Sequence, residues 1–576
     1  MIEKRLTDLR QILNQSNFTG YIVPSSDEYL SEYTPDYAKR LEYITGFTGS
    51  NGVAIILPKT VLFFTDGRYI NQCFSQLDDN IFEVFDQQLW PEFNWSDYVH
   101  NEQIIAYDPK LFTDRYLQNF SKLNLKSYSE NLIDQIWDDQ LSKSNSKIYD
   151  YPEKYAGQSY KDKLSKCRTF LTNNDDAESL VITNSDCVCW LFNLRAHDVL
   201  FSPLLLANAI ITQNKAYLFT DSNRLDDALL AQRSDIDILP ESDFESILAK
   251  MSGTILFDQT QCSRHIANLV KKREHKNITN PIMLQKACKN DTEIKYMKQG
   301  HVQDAAAICE ILAFIDQASN EDLNSLSEYD IGKKLTSLRA KNEGYLFDSF
   351  PTICGYQENG AIIHYCAEQS SAKKITGNGL LLIDSGGQYM GATTDITRTI
   401  SIGTPTTKQK EYYTKVLKGH IALASATFPQ NKVSGAHLDI LARQYLWQNG
   451  DDYAHGTGHG VGSCLSVHEG PQNISLAAFG TRLQKGMVLS NEPGYYLPGE
   501  FGIRIENMMY IQDAESSGFL SFKMLTLVPY AKNLIDFTML EEKELEYLRS
   551  YYQKIEAKIY PLLSNQAQEW FKKNLL

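Results

Sequence analysis

The N-terminal half of this chain is written twice, and a tandem repeat of that length restricts the fold more than any local pattern does. Arg5–Leu13, RLTDLRQIL, matches Lys163–Leu171, KLSKCRTFL. Gly20–Tyr29, GYIVPSSDEY, parallels Ser179–Val188, SLVITNSDCV, and Ala54–Asp66, AIILPKTVLFFTD, parallels Ala209–Asp221, AIITQNKAYLFTD. The order is kept and the offset stays between 155 and 160 residues. Each copy reads as an opening helix, a strand, and a strand pair ending in FTD, which predicts a layered α/β domain. The polar stretch Leu141–Lys147, LSKSNSK, suits a linker and puts the first boundary near residue 147.

The second copy runs out around Asn277–Asn290, and there Asn290 and Asp291 can cap a long helix. Its apolar positions are Ile294, Met297, Ala305, Ile308, Leu312 and Ile315. The expected domains are therefore 1–147, 148–286 and 287–576, the last closing on a helical segment from Leu540.

In the third domain the stretch Leu380–Ile400, LLLIDSGGQYMGATTDITRTI, ends an apolar run on Asp384 and opens a second extended run near Asp395. Glycines lie between them, so the two runs read as a hairpin that returns the chain alongside itself and turns both carboxylates to one side. Two acids beside an apolar strand are costly without a compensating cation. Ligand-type residues gather downstream: His455, His459 and His468 in AHGTGHGVGSCLSVHEG, Glu492 in LSNEPGYY, and Glu506 in FGIRIENMMYI. Asp384, Asp395, His459, Glu492 and Glu506 make four carboxylates and one imidazole, a set suited to manganese or another hard-to-borderline divalent ion. Such a set can hold two cations, the composition of a binuclear hydrolytic site. HGTGHGVG lacks the P-loop lysine and does not fit GxGxxG, so its glycines serve instead to let histidines project from close-packed backbone.

HGTGHGVG, NEPGYY and GIRIEN, following DSGGQY and TTDITRT in this order, resemble the metallopeptidases of pita-bread fold. Along its whole length the chain is similar to the cytosolic type of aminopeptidase P. Ala392 stands where the GTTD motif of that family has glycine, with no ligand lost. The resemblance implies two duplicated creatinase-like α/β domains followed by a pita-bread catalytic domain. It implies that Asp384 chelates one ion, that Asp395 and Glu506 bridge the pair, and that His459 and Glu492 complete the ligand set of the second ion. A water between the ions, its pKa lowered toward neutrality, would then attack the scissile carbonyl, with Glu492 accepting its proton. His364, in AIIHYCAE, and His468 resemble histidines that hold substrate and stabilise the tetrahedral intermediate. His455 and Arg504 resemble walls of a proline pocket, and Arg68, in FTDGRY, an arginine that touches peptide. The second copy has DSNR in place of DGRY.

The expected cofactor is a pair of divalent ions, Mn²⁺ first, with Zn²⁺ or Co²⁺ also accommodated. The expected substrates are peptides with proline in second position. Prolidase shares the ligands but not the duplicated N-terminal half, methionine aminopeptidase needs no such half, and a non-catalytic binding protein on this fold would not need the ligands. The net charge of −15 argues against a nucleic-acid surface. No apolar run approaches the ~20 residues of a membrane span, and MIEKRLTDLRQIL is a charged amphipathic helix rather than a signal peptide. Ten cysteines lie scattered, with Cys187 and Cys189 too close for CxxC, so they read as reduced thiols of a cytoplasmic protein. A homodimer is implied by the resemblance alone.

Overall fold

The computed structural model describes residues 1–575. It divides into two compact units: Met1–Tyr151 with Gln158–Ile282, and Pro152–Gly157 with the chain from Met283 onward.

In the first unit the repeat becomes two six-stranded sheets of one topology. The first runs Phe82–Asp86, Val61–Thr65, Val53–Ile56, Gly20–Pro24, Ile104–Tyr107, Asn124–Ser127. The second runs Asp237–Leu239, Ala216–Phe219, Asn208–Thr212, Ser179–Ile182, Ile255–Phe257, His275–Asn277. In each, the earliest strand pairs antiparallel with the next in the hairpin direction and parallel with its other neighbour, and both outer pairs are parallel. The opening helices also match. Ile2–Gln15 buries Leu6, Leu9 and Leu13, and Tyr160–Thr172 buries Leu164, Cys167 and Leu171, the same stripe of a 3.6-residue period. The polar stretch Leu141–Lys147 is tied down: the Ser146 hydroxyl donates to Asp198 at 2.9 Å, and Arg224 donates to the Ser146 carbonyl at 2.9 Å. Arg264 and Lys271 of the second copy both reach Asp114 of the first, each at 2.7 Å.

The longest helix of the second unit is Asp291–Gln317, capped reciprocally by Asn290 and Glu293. Ile294, Met297, Ala305, Ile308, Leu312 and Ile315 are all buried on it. The departure at Ala392 has its counterpart on this helix. A Cβ on Gly300 would lie 2.5 Å from the Ala392 Cβ, so a bare helix position makes room for the extra methyl. Gly300→Ala is therefore expected to destabilise by about 1–3 kcal/mol, the usual cost of overpacking. Adding Ala392→Gly should recover most of it in thermal unfolding, and losses that simply add would refute the pairing.

The expected hairpin is present, with Gly379–Ser385 antiparallel to Ile396–Ile402 and Asp384 opposite Thr397. Its tip is more elaborate than a turn. Gly387–Tyr389 pairs with Ala392–Thr393 on one side and with Tyr345–Asp348 on the other, forming a separate three-stranded sheet. A six-stranded sheet carries Gly458–Gly460, Val488–Asn491 and Asn507–Asp513, and Phe501–Arg504 pairs with Gly494–Leu497. Leu381, Ile383, Ile503 and Ile505 share one buried core with the closing helices Glu542–Lys558 and Asn565–Asn574. All ten cysteines are free thiols, with Cys288 half-buried and Cys366 exposed. Among the described residues no helix is long and apolar enough to cross a membrane.

Candidate metal centre

Five positions in or beside strands bring the expected ligands to one place. Asp384 is the penultimate residue of Gly379–Ser385, and Asp395 immediately precedes Ile396–Ile402. His459 is central in Gly458–Gly460, Glu492 follows Val488–Asn491, and Glu506 lies between Phe501–Arg504 and Asn507–Asp513. Close backbone approach is required here: a Cβ on Gly458 would lie 2.1 Å from the Ser490 carbonyl oxygen.

Three groups of side chains each bring one ligand atom apiece within 4.8 Å of one another: Asp384, Asp395 and Glu506; His459, Glu492 and Glu506; Asp395, His459 and His468. Asp395, Glu506 and His459 each belong to two of them, and the His459 and His468 rings stand edge to face with centroids 4.2 Å apart. His459 sits 3.4 Å from both Asp395 and Glu492. Its Nδ1 is 3.0 Å from the Gly460 carbonyl, which takes the ring proton and leaves Nε2 turned to the carboxylates.

The electrostatics call for a cation. Asp384 Oδ1, Asp395 Oδ1 and Glu506 Oε1 are buried oxygens with no hydrogen-bond partner. Burial, opposed by Arg504 and reinforced by Asp395, pushes Asp384 up to about 7. Burial and then Asp395 and Glu492 push Glu506 well above the carboxylate range. Burial would lower His459, but Asp395 and Glu492 carry it up to about 9. Burial would raise Glu492, yet His459, His455 and Arg504 hold it below its ordinary value. Protons are thus drawn to the site where metal ions would otherwise lie, and the donor set fits divalent cations.

Around this cluster, Arg504 is fully buried and donates to Asp384 through Nη2 at 2.6 Å and Nε at 3.1 Å. Its Nη1 donates to the Tyr496 hydroxyl at 2.7 Å, which lies 2.8 Å from His455 Nε2. Burial brings His455 down to about 4, so its ring is neutral. Arg504 Nη2 also reaches the Ile363 carbonyl at 3.4 Å, which brings the turn bearing His364 to the site's edge. Arg68 belongs to the first unit. It forms a two-point bond with Asp66, at 2.9 and 2.7 Å, and lines a cavity of about 310 Å³ with Ser25, Glu32, Asn51 and Tyr116.

Four supporting residues lie outside the motifs' expected ligands. Thr397 donates to Glu506 at 2.7 Å and follows Asp395 by two positions, so strand alternation could have found it. Tyr496 gives no pattern that separates it from Tyr495. Arg398, buried, donates to the Glu506 carbonyl at 2.7 Å and to Asn507 at 2.8 Å, and has no carboxylate partner among the described residues. His420, brought down to about 3 by burial and then by Arg398, reaches the Asn491 carbonyl at 3.1 Å behind Glu492.

The chain matches the Creatinase/Prolidase N-terminal domain at residues 5–136 and again at 139–293. It matches metallopeptidase family M24 at 295–513 and the C-terminal region of that peptidase at 518–575. It is 37% identical to Xaa-Pro aminopeptidase 1 of Dictyostelium discoideum over 98% of this chain and 94% of that one. Among solved structures, an X-prolyl aminopeptidase from Caenorhabditis elegans, described as a cytosolic enzyme with a di-nuclear active site, superposes with a TM-score of 0.94 at 30% identity. It covers 100% of this chain and 99% of its own. An X-Pro aminopeptidase from Thermotoga maritima, 26% identical with a TM-score of 0.51, covers 98% of its own length but 64% of this chain. With duplicated creatinase-type domains, a pita-bread domain and full-length relatives of this kind, the chain belongs to the Xaa-Pro aminopeptidases of metallopeptidase family M24.

Proposed function

We propose that this protein is a metal-dependent exopeptidase that releases the first residue from peptides whose second residue is proline. The observation that carries this reading is the pair of carboxylates, Asp395 and Glu506, each shared by two ion-holding groups. His459 is shared too, but its Nδ1 is spent on the Gly460 carbonyl, whereas a carboxylate has two oxygens to offer; this supports Asp395 and Glu506 as the residues that would serve both ions, with Asp384 on one side and His459 with Glu492 on the other. Two ions held there, Mn²⁺ by the preponderance of oxygen donors, supply an activated water and a Lewis acid.

The chain's own residues do the rest. Glu492, kept ionised by its cationic neighbours, accepts a proton at the face of the cluster. His468 beside His459, and His364 beyond Ile363, donate to the oxygen on which charge develops. His455 and Arg504 wall the proline pocket. The Tyr496 hydroxyl takes the Nε2 acceptor of His455, and the Arg504 guanidinium carries donors only, so the wall presents few acceptors to a backbone N–H. An Xaa-Pro bond is a tertiary amide with no N–H to satisfy. An ordinary peptide there would bury an unpaired donor at a cost of ~1–3 kcal/mol, a preference of roughly 5- to 150-fold for proline. Arg68 is the peptide-binding residue proposed in the first N-terminal domain, where it lines a cavity of that domain.

The boundaries 1–147, 148–286 and 287–576 belong to this proposal, as do a cytoplasmic location and a homodimeric state. The buried free thiols and the cytosolic C. elegans relative support the location. The test is Mn²⁺-loaded protein with Arg-Pro-Pro, Arg-Ala-Pro and Arg-Pro, measuring free arginine. Release from Arg-Pro-Pro far above both others is expected. Comparable release from Arg-Ala-Pro refutes the proline requirement, and preferential cleavage of Arg-Pro makes the protein a prolidase.

A further inference from the structure

The turn that carries His364 belongs to a stretch, residues 362–378, with no helix or strand of its own. Something must hold it, and one side chain gathers its contacts. Glu328, the first residue of the helix Glu328–Arg339, is 0% exposed and takes part in no ion pair among the described residues. A buried carboxylate without a counter-ion is costly unless donors surround it. Here five hydrogen bonds do so. Oε1 accepts from the Tyr356 backbone N–H at 2.6 Å and from Asn359 Nδ2 at 2.9 Å. Oε2 accepts from Asn359 Nδ2 at 3.1 Å, the Tyr365 hydroxyl at 2.8 Å and the Lys373 backbone N–H at 2.8 Å. The helix N-terminus adds a favourable field for the charge.

These donors come from before His364, from the residue immediately after it, and from farther along the same stretch. The preceding residue, Ile363, accepts a hydrogen bond from Arg504 at its carbonyl, at 3.4 Å. His364 is thus pinned between a neighbour fixed to the metal cluster's arginine and a neighbour fixed to Glu328. We infer that Glu328 is a positioning residue for the reaction: its hydrogen bonds to Tyr365, Asn359 and Lys373 fix the turn that aims His364. The inference rests on the role proposed above for His364. Glutamine at 328 keeps the shape but presents an N–H₂ to donors, which breaks at least one side of the array.

The experiment compares Glu328→Gln, Tyr365→Phe, His364→Ala and the two double variants with His364→Ala, all as full-length Mn²⁺-loaded protein. Glu328→Gln should lower kcat by up to roughly 100-fold, the loss that a misplacement of about 1 Å can bring, with metal content unchanged. Amide exchange across residues 357–373 should rise. Tyr365→Phe, which removes one of the five bonds to Glu328 and the bond that the Tyr365 hydroxyl accepts from Asn359 at 3.0 Å, should give a smaller loss of the same kind. In the His364→Ala background neither change should reduce kcat further, because both act through the missing imidazole. Losses that multiply in that background, or full activity in Glu328→Gln, overturn the inference. Should Glu328→Gln not fold, Tyr365→Phe with its double variant decides alone, by the same additivity criterion. His364→Ala at wild-type activity would refute the role given to His364, a failure separable from the first because it appears in the single variant.

Discussion

Exchanging Glu506 for glutamine is expected to move activity and metal-free stability in opposite directions. Glu506 belongs to two of the three ion-holding groups, so its loss weakens the hold on both ions at once. The fall in kcat/KM should exceed the roughly 10- to 100-fold seen when only a residue orienting a ligand is changed. Without metal the sign reverses. Burial, Asp395 and Glu492 raise Glu506 well above the carboxylate range, so its ionisation costs the fold stability as pH rises. A neutral amide escapes that cost, and the metal-free variant should unfold no lower than the parent, with an advantage that grows toward alkaline pH. The gain in Tm on adding Mn²⁺ should shrink, since it measures metal affinity for the folded state. Thermal unfolding at pH 6 and 8, with and without Mn²⁺, together with turnover, gives all three quantities. Near-normal turnover, or an undiminished Mn²⁺ gain, would remove Glu506 from the ligand set.

The opposition of signs has a general cause. Groups gathered to hold cations are mutually repulsive when left alone, and here three of their oxygens are buried without any partner. Stability is spent on a site that only binding redeems. The same reasoning explains why the supporting residues are neutral donors and arginines: Thr397 on Glu506, Ser490 on Glu492, Arg504 on Asp384.

Much of this was legible in the chain because it is periodic or because it is chemically improbable. The repeat could be read because Leu6, Leu9 and Leu13 recur as Leu164, Cys167 and Leu171, and packing tolerates cysteine for leucine on a buried stripe. The capped helix from Asp291 and the hairpin joining Asp384 to Asp395 follow from local rules. Residues whose partners are distant in sequence left no trace. Arg398 bonds to residues more than a hundred positions away, and nothing in TTDITRT distinguishes it from a solvated arginine. Glu328 looks like any acid in the first turn of a helix until Tyr356, Tyr365 and Lys373 arrive around it. His420 lies in an ordinary helical pattern, and only the sheet behind it shows that it props the segment ending in Glu492. The hairpin's tip was simplified for a related reason: one of its short strands pairs with Tyr345–Asp348, which no pattern within Leu380–Ile400 can reveal.

Arg504→Ala is expected to cost the metal-free protein about 3–5 kcal/mol at pH 8.5, the usual penalty for stripping the partner from a buried charge. Arg504 is the cation on Asp384, at 2.6 Å, and it also ties Tyr496 and the Ile363 carbonyl to the same point. Asp384 is already raised to about 7, so its contribution favours the fold below the unfolded carboxyl range and is lost as pH rises through that value. Removing Arg504 raises it further, and a protonated Asp384 no longer needs a cation. The penalty should therefore be smaller at pH 5.5 than at pH 8.5. Saturating Mn²⁺ should reduce it at pH 8.5 as well, because an ion on Asp384 replaces the missing guanidinium. Arg504→Lys keeps a charge but not the planar fork that serves Asp384 and Tyr496 together, so it should recover stability more fully than activity. Denaturant unfolding of the three proteins at both pH values, with EDTA and with Mn²⁺, measures each difference. A penalty equal at the two pH values, or indifferent to Mn²⁺, would mean that Arg504 stabilises the fold through packing and not through the charge of Asp384.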